Sequence, residues 1–93
     1  MTFMYNVEYT NRFKKDMKRC QKRGKDMSLI FDAIKILAEN GTLPQRYSPH
    51  KLSGRYDGKW ECHIEADWLL VWEQYENQLR LIMTNTGTHS DIF

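Results

Sequence analysis

A chain of 93 residues with 41% hydrophobic, 13% aromatic and 28% charged side chains holds material for one domain with a modest core. That aromatic content, with only 5 glycines and 2 prolines, excludes a disordered chain, and no apolar run nears the roughly 18 residues of a membrane span. The opening Met1 to Arg12 has no secretory pattern, and the two isolated cysteines, Cys20 and Cys62, cannot form a disulfide scaffold, so a reducing cytoplasm is the expected compartment.

The net charge of +2 hides an asymmetry. Residues 1–50 hold 10 Lys/Arg against 5 Asp/Glu, while residues 51–93 hold 4 against 7. The excess lies between Arg12 and Lys25, where only Asp16 opposes it, and it points to a polyanion or an acidic protein as partner.

In chain order, Phe3 to Tyr9 mixes aromatic and β-branched residues and predicts a strand. Thr10 then caps a helix that runs to about Arg23 and stops at Gly24, with Phe13, Met17 and Cys20 as its apolar stripe. Asp26 caps a second helix that turns Ile30, Ala33, Ile34, Leu37 and Ala38 inward and ends at Asn40-Gly41. A loop with Pro44 and Pro49 leads to three strands, 59–65, 68–74 and 79–84, the first two preceded and followed by the turns Asp57-Gly58 and Glu76-Asn77-Gln78. Alternation in the first of these puts Trp60, Cys62 and Ile64 on one face and Glu61, His63 and Glu65 on the other. The pattern predicts an α+β fold: a small antiparallel-rich sheet, two N-terminal helices packed on one face, and His63 on the opposite face, all in one unit from 1 to 93.

The basic helix carries two rows at i, i+4 spacing, Lys14-Lys18-Lys22 and Lys15-Arg19-Arg23. Four like-charge pairs cost roughly 1–2 kcal/mol together, with Arg12–Asp16 the one offset at helical spacing. Either salt screens this face, or it meets nucleic-acid phosphates or an acidic helix. The three histidines, His50, His63 and His89, lack zinc-type spacing, and there is no CxxC or HExxH, so no metal or cofactor is expected. Several imidazoles with Asp67 suit acid–base cleavage of RNA, which brings its own 2′-hydroxyl nucleophile. Cys20 and Cys62 fall on apolar faces and are expected in the core, as are Trp60 and Trp72, whereas Trp68 beside Asp67 is the better base-stacking candidate.

Three blocks carry a resemblance to a known family: His50-Lys51-Leu52-Ser53-Gly54, then Glu61-Cys62-His63-Ile64-Glu65-Ala66-Asp67-Trp68-Leu69-Leu70-Val71, then Thr86-Gly87-Thr88-His89-Ser90-Asp91-Ile92-Phe93. Together with Gln21 to Met27 they make the chain similar to the YafQ-like branch of the RelE/ParE toxin superfamily. The resemblance implies a RelE-like fold and a bacterial, cytoplasmic toxin that enters the ribosomal A site and cuts messenger RNA without a metal. It further implies a cognate antitoxin, and operator DNA reached through that antitoxin. Carried over by position, it marks His50, His63, Asp67 and His89 as catalytic, with Trp68 and Phe93 beside them. His89 would be the acid for the leaving 5′-oxygen, Asp67 or His50 the base, and His63 a phosphate-positioning group. Lys14, Lys15, Lys18, Arg19, Lys22 and Arg23 would meet ribosomal RNA.

The branch has arginine where this chain has Trp60 and Asn85, and proline where it has Ala66. An arginine fork binds phosphate in two places, and losing one such donor costs about 10²–10³ in rate. Other basic residues such as Lys51, Arg55, Lys59 or Arg80 would then supply charge, or the chain would be an attenuated homologue that chiefly binds antitoxin and autoregulates its operator. A gyrase inhibitor of the ParE kind gives no reason for the His/Asp set.

Overall fold

The computed structural model describes residues 4–93. Strand β1 (Asn6–Tyr9) precedes helices α1 (Asn11–Lys22) and α2 (Met27–Asn40); strands β2 (His50–Lys51), β3 (Trp60–Glu65), β4 (Trp68–Tyr75) and β5 (Arg80–Gly87) follow, and a final turn of helix, α3 (His89–Ile92), ends the chain. The sheet order is β1-β5-β4-β3-β2. β1 runs parallel to β5, and every other neighbouring pair is antiparallel.

Local signals set these elements. The Thr10 hydroxyl accepts the Phe13 N–H to start α1, and the Asp26 carboxylate accepts the Ser28 N–H to start α2; each cap contributes about 1 kcal/mol. α2 stops at Gly41, whose φ is +73° and whose N–H returns to the Leu37 carbonyl. A β-carbon there would meet the Tyr5 ring at 2.7 Å, so packing and backbone both require glycine.

The sheet divides the interior into two unequal layers. Phe13 and Cys20 of α1 and Ile30, Ala33, Ile34 and Leu37 of α2 pack on Cys62, Trp68, Leu70, Trp72, Leu81 and Met83. On the other face Leu69, Val71 and Ile92 make a small second cluster, edged by Leu52 and Tyr56. Both helices lie on one face, as the hydrophobic pattern predicts.

Three differences from the sequence reading have physical causes. The first strand begins at Asn6 rather than at Phe3, which lies outside the described residues. β5 runs three residues past Thr84, because beyond a register shift at Val71/Trp72 it goes on pairing with β4 through Asn85, Thr86 and Gly87. The segment after the last strand, for which the sequence pattern predicts no element, is α3, closed by a capping box: Thr88 accepts the Asp91 N–H, and the Asp91 carboxylate accepts the Thr88 N–H.

Candidate active site

Register fixes what shares the face opposite the long helices. Directly opposed residues across an antiparallel pair project to the same side. His50 faces Glu61, Glu61 faces Val71, and Val71 faces Asn85, which makes one row across β2, β3, β4 and β5. His63, Leu69 and Gly87 make the next row. A register shift between His63 and Glu65 and the turn at Ala66-Asp67 then bring Asp67 under the first residue of α3, His89.

The three imidazoles therefore form a file. Ring centroids lie 6.4 Å apart for His50 and His63 and 6.0 Å apart for His63 and His89, and Phe93 continues the file at 6.4 Å from His89. The terminal turn is held from the side by Tyr56, whose hydroxyl donates to the Ile92 carbonyl at 2.8 Å and whose ring meets Phe93 edge-on at 5.1 Å. Sequence reading did not single out Tyr56; it stands in a loop, and its partners are 36 residues away.

Each ring is held differently. Asp67 Oδ1 accepts both the His89 backbone N–H at 3.0 Å and His89 Nδ1 at 2.7 Å, and these two bonds hold the Asp67 carboxyl below the ordinary carboxylate range. Because Nδ1–H donates its hydrogen bond to Asp67, Nε2 is the nitrogen that His89 leaves open. His50 is engaged at both nitrogens, Nδ1 to the Ser48 carbonyl at 2.8 Å and Nε2 to Glu61 Oε1 at 3.1 Å. The His63 ring has no hydrogen bond or ion pair among the described residues. A cavity of about 330 Å³ beside it is lined by Leu29, Asp32, Arg46, Tyr47, His63 and Ile64. His89 and Asp67 are more than half exposed, as is Phe93, so the file opens to solvent.

Several expectations change. Trp68 cannot stack on a base: it is 1% exposed, its parity with Leu70 and Trp72 turns it into the helix-side core, and its indole N–H donates to Thr86 Oγ1 at 2.9 Å. Arg19 and Arg23 are not a free RNA-binding row. Arg23 clasps Asp91 with both terminal nitrogens, at 2.6 and 3.2 Å, while Arg19 reaches the Asp16 carboxylate at 3.1 Å and the Thr86 carbonyl at 3.2 Å. Arg12 also holds Asp16, a 1% exposed carboxylate that accepts the Thr86 N–H, so the offset to the basic face is larger than one helical pair. Lys14, Lys15, Lys18 and Lys22 remain exposed and outside any ion pair among the described residues, and Arg55 is exposed as well. Lys51 lies over the Trp60 ring, Lys59 faces Glu73, and Arg80 is bound to Glu8.

Of the two positions where the resemblance expects arginine, Trp60 points away from the histidines and stacks on Trp72 at 6.2 Å; Asn85 alone shares their face. Both cysteines are buried as expected, and burial pushes the Cys62 thiol up to about 12, which rules it out as a thiolate nucleophile. Among the described residues no group of three His, Cys, Asp or Glu side chains can hold a metal ion, and no helix is long and apolar enough to cross a membrane.

An open imidazole nitrogen on His89, an unengaged His63 and a carboxylate-fixed orientation give this face a donor and an acceptor of protons within a few ångströms of each other. The profile of a bacterial toxin of type II toxin–antitoxin systems, YafQ, matches residues 5–93. The mRNA interferase toxin YafQ of Escherichia coli K12 is 36% identical over 89 residues, covering 95% of each chain. The E. coli DinJ–YafQ toxin–antitoxin complex contains a chain that superposes with TM-score 0.87 at 34% identity, covering 97% of this chain and 98% of that one. A metal-bound toxin from Helicobacter pylori superposes with TM-score 0.88 at 32% identity, covering 97% and 100%. The chain belongs to the YafQ family of type II toxin–antitoxin toxins, on the RelE-like α+β fold.

Proposed function

We propose that this toxin is an mRNA interferase that cleaves ribosome-bound messenger RNA by attack of the RNA's own 2′-hydroxyl. The observation that carries the reading is the file His50–His63–His89 with Asp67 fixed beneath His89, on the open face of the sheet. His63, whose nitrogens are unengaged, takes the 2′-hydroxyl proton. The 2′-oxygen attacks phosphorus, the P–O5′ bond breaks, and His89 Nε2 delivers its proton to the leaving 5′-oxygen. The products are a 2′,3′-cyclic phosphate and a 5′-hydroxyl, and solvent returns one proton to His89 and removes one from His63. Asp67 acts here as the group that orients His89, since the two bonds from His89 hold its carboxyl below the ordinary range and weaken it as a base, and His50 has no open nitrogen for the base role.

Phe93, exposed at the end of the file, offers a stacking surface for a base, and Lys14, Lys15, Lys18 and Lys22 offer phosphates of ribosomal RNA a salt-sensitive contact. The partners are a cognate antitoxin, the ribosome with its mRNA, and operator DNA through the antitoxin; the complexed E. coli relative and the basic helix support the first two. The test is expression with and without antitoxin while mapping mRNA ends by primer extension: growth arrest with new ends supports the reading, and the absence of both overturns it.

Asn85 favours a second reading, a weakly catalytic toxin whose main work is antitoxin binding and operator autoregulation. It sits on the catalytic face without a charge. Asn85→Arg separates the two: a gain approaching the 10² or so that one transition-state donor contributes indicates attenuation, and an unchanged rate indicates that the site is complete as built. Trp60→Arg lacks this meaning, since Trp60 faces the helices.

A further inference from the structure

Glu61 is a buried carboxylate that the scheme above leaves unused. It is 4% exposed, the second residue of β3, and lies between His50 on one neighbouring strand and Val71 on the other. Its Oε1 lies 3.1 Å from His50 Nε2, and its Oε2 is buried without a hydrogen-bond partner. No lysine or arginine among the described residues lies within ion-pair distance of it, and the nearest other imidazole, His63, is 6.4 Å from the His50 ring. Among the described residues His50 is thus the sole cation available to a carboxylate almost wholly closed to water.

Proton accounting fixes the state of the pair. The Ser48 carbonyl only accepts, so the 2.8 Å contact places a proton on His50 Nδ1. With Nδ1 protonated, a bare Nε2 would set its lone pair against a carboxylate oxygen, so the 3.1 Å contact also carries a proton. Burial alone would favour a neutral carboxyl, so it is the greater basicity of an imidazole over a carboxylate that assigns the proton to the ring, whose half-exposed edge keeps the charge in contact with water. The pair is oriented, with its positive end at the surface of the groove and its negative end beneath.

We propose that Glu61 is a positioning residue of this site: it holds His50 as a fixed imidazolium, which supplies the phosphate with the positive charge that Asn85 does not. The proposal rests on the nuclease reading for its consequence and on the His50–Glu61–Ser48 geometry for its substance. It divides the labour of the three histidines into a cation, a base and an acid.

The test has two arms. Nitrogen-15 NMR of the free full-length chain at neutral pH reads the ring directly. Both His50 nitrogens are protonated in the parent, and Glu61→Gln, which removes the charge and little volume, returns one of them to the unprotonated range; Glu61→Asp keeps both protonated. The second arm measures cleavage of ribosome-bound message. His50→Gln loses about 10²–10³ in kcat, and His50→Arg, a permanent cation, recovers at least about tenfold of that loss. An unprotonated His50 Nε2 in the parent, or a ring unchanged by Glu61→Gln, overturns the proposal, and so does a His50→Arg chain as inactive as His50→Gln. A parent that cuts no message removes the nuclease reading instead, and the NMR arm still decides the pair.

Discussion

The two ends of the polar cluster around α3 handle charge in opposite ways. Where α1, β5 and α3 meet, Asp16 accepts Arg12, Arg19 and the Thr86 N–H, and Asp91 accepts Arg23 and the Thr88 N–H. Where β2, β3 and α3 meet, three imidazoles share two carboxylates and leave nitrogens of His63 and His89 open. The first arrangement spends its hydrogen-bonding capacity within the fold, and the second keeps some for a substrate. Groups of similar polarity thus serve structure or chemistry according to what remains unpaired. The basic helix crosses that divide: its arginines belong to the first end, and its lysines are free for a partner.

Substitutions at each end should separate these roles. His89→Ala has the largest expected effect, a fall in mRNA cleavage of about 10²–10⁴ with the melting temperature nearly unchanged, read by primer extension beside a thermal melt. At the paired end, Asp16→Ala is expected to lower stability by about 2–3 kcal/mol by urea unfolding, since it strands the Thr86 N–H and two guanidiniums, the exposure of Arg12 and Arg19 keeping the loss below that of a fully buried pair. A melt of His50→Ala should show a smaller loss, about 1–2 kcal/mol, because Glu61 is left buried without its cation. A loss as large as that of Asp16→Ala would make the histidine end structural too and erase the contrast.

The smallest effect is in acid. Hydrogen bonds from Arg23, first, and from Thr88 hold the Asp91 carboxyl far below the ordinary range. A depressed folded value means that its stabilisation is complete above the unfolded value of about 4 and is lost as pH falls from there through the folded value. Urea midpoints measured from pH 6 to pH 3 should therefore fall more steeply in the parent than in Asp91→Asn, and parallel curves would contradict the assignment. Gly87 belongs to this end: its φ of +148° and the Asp91 carboxylate 2.7 Å from where a β-carbon would stand leave room for no side chain.

Much of this architecture was legible in the sequence because its signals are local. Thr10 and Asp26 announce their caps, Asn40-Gly41 ends α2, and the alternation of Trp60 to Glu65 places His63 on the face away from the helices. Parity with Leu70 and Trp72 would have placed Trp68 in the core; its neighbour Asp67 suggested exposure instead. Thr88 and Asp91, three residues apart, carry the signature of a capped helix start, which the pattern of strands and helices left unassigned. The Arg23–Asp91 pair spans 68 residues, and no spacing rule reaches so far. Glu61 lay on the same alternation as His63, yet its burial depends on β2, a strand of two residues whose pairing only the fold reveals.

The central claim is that the RNA supplies its own nucleophile to this file of imidazoles. Its most direct test is a message carrying a single 2′-deoxynucleotide at the mapped cut, presented on the ribosome to the parent chain. The account predicts that this linkage stays intact while the all-ribose message is cut to a 2′,3′-cyclic end; scission of the deoxy linkage at the same rate would contradict it.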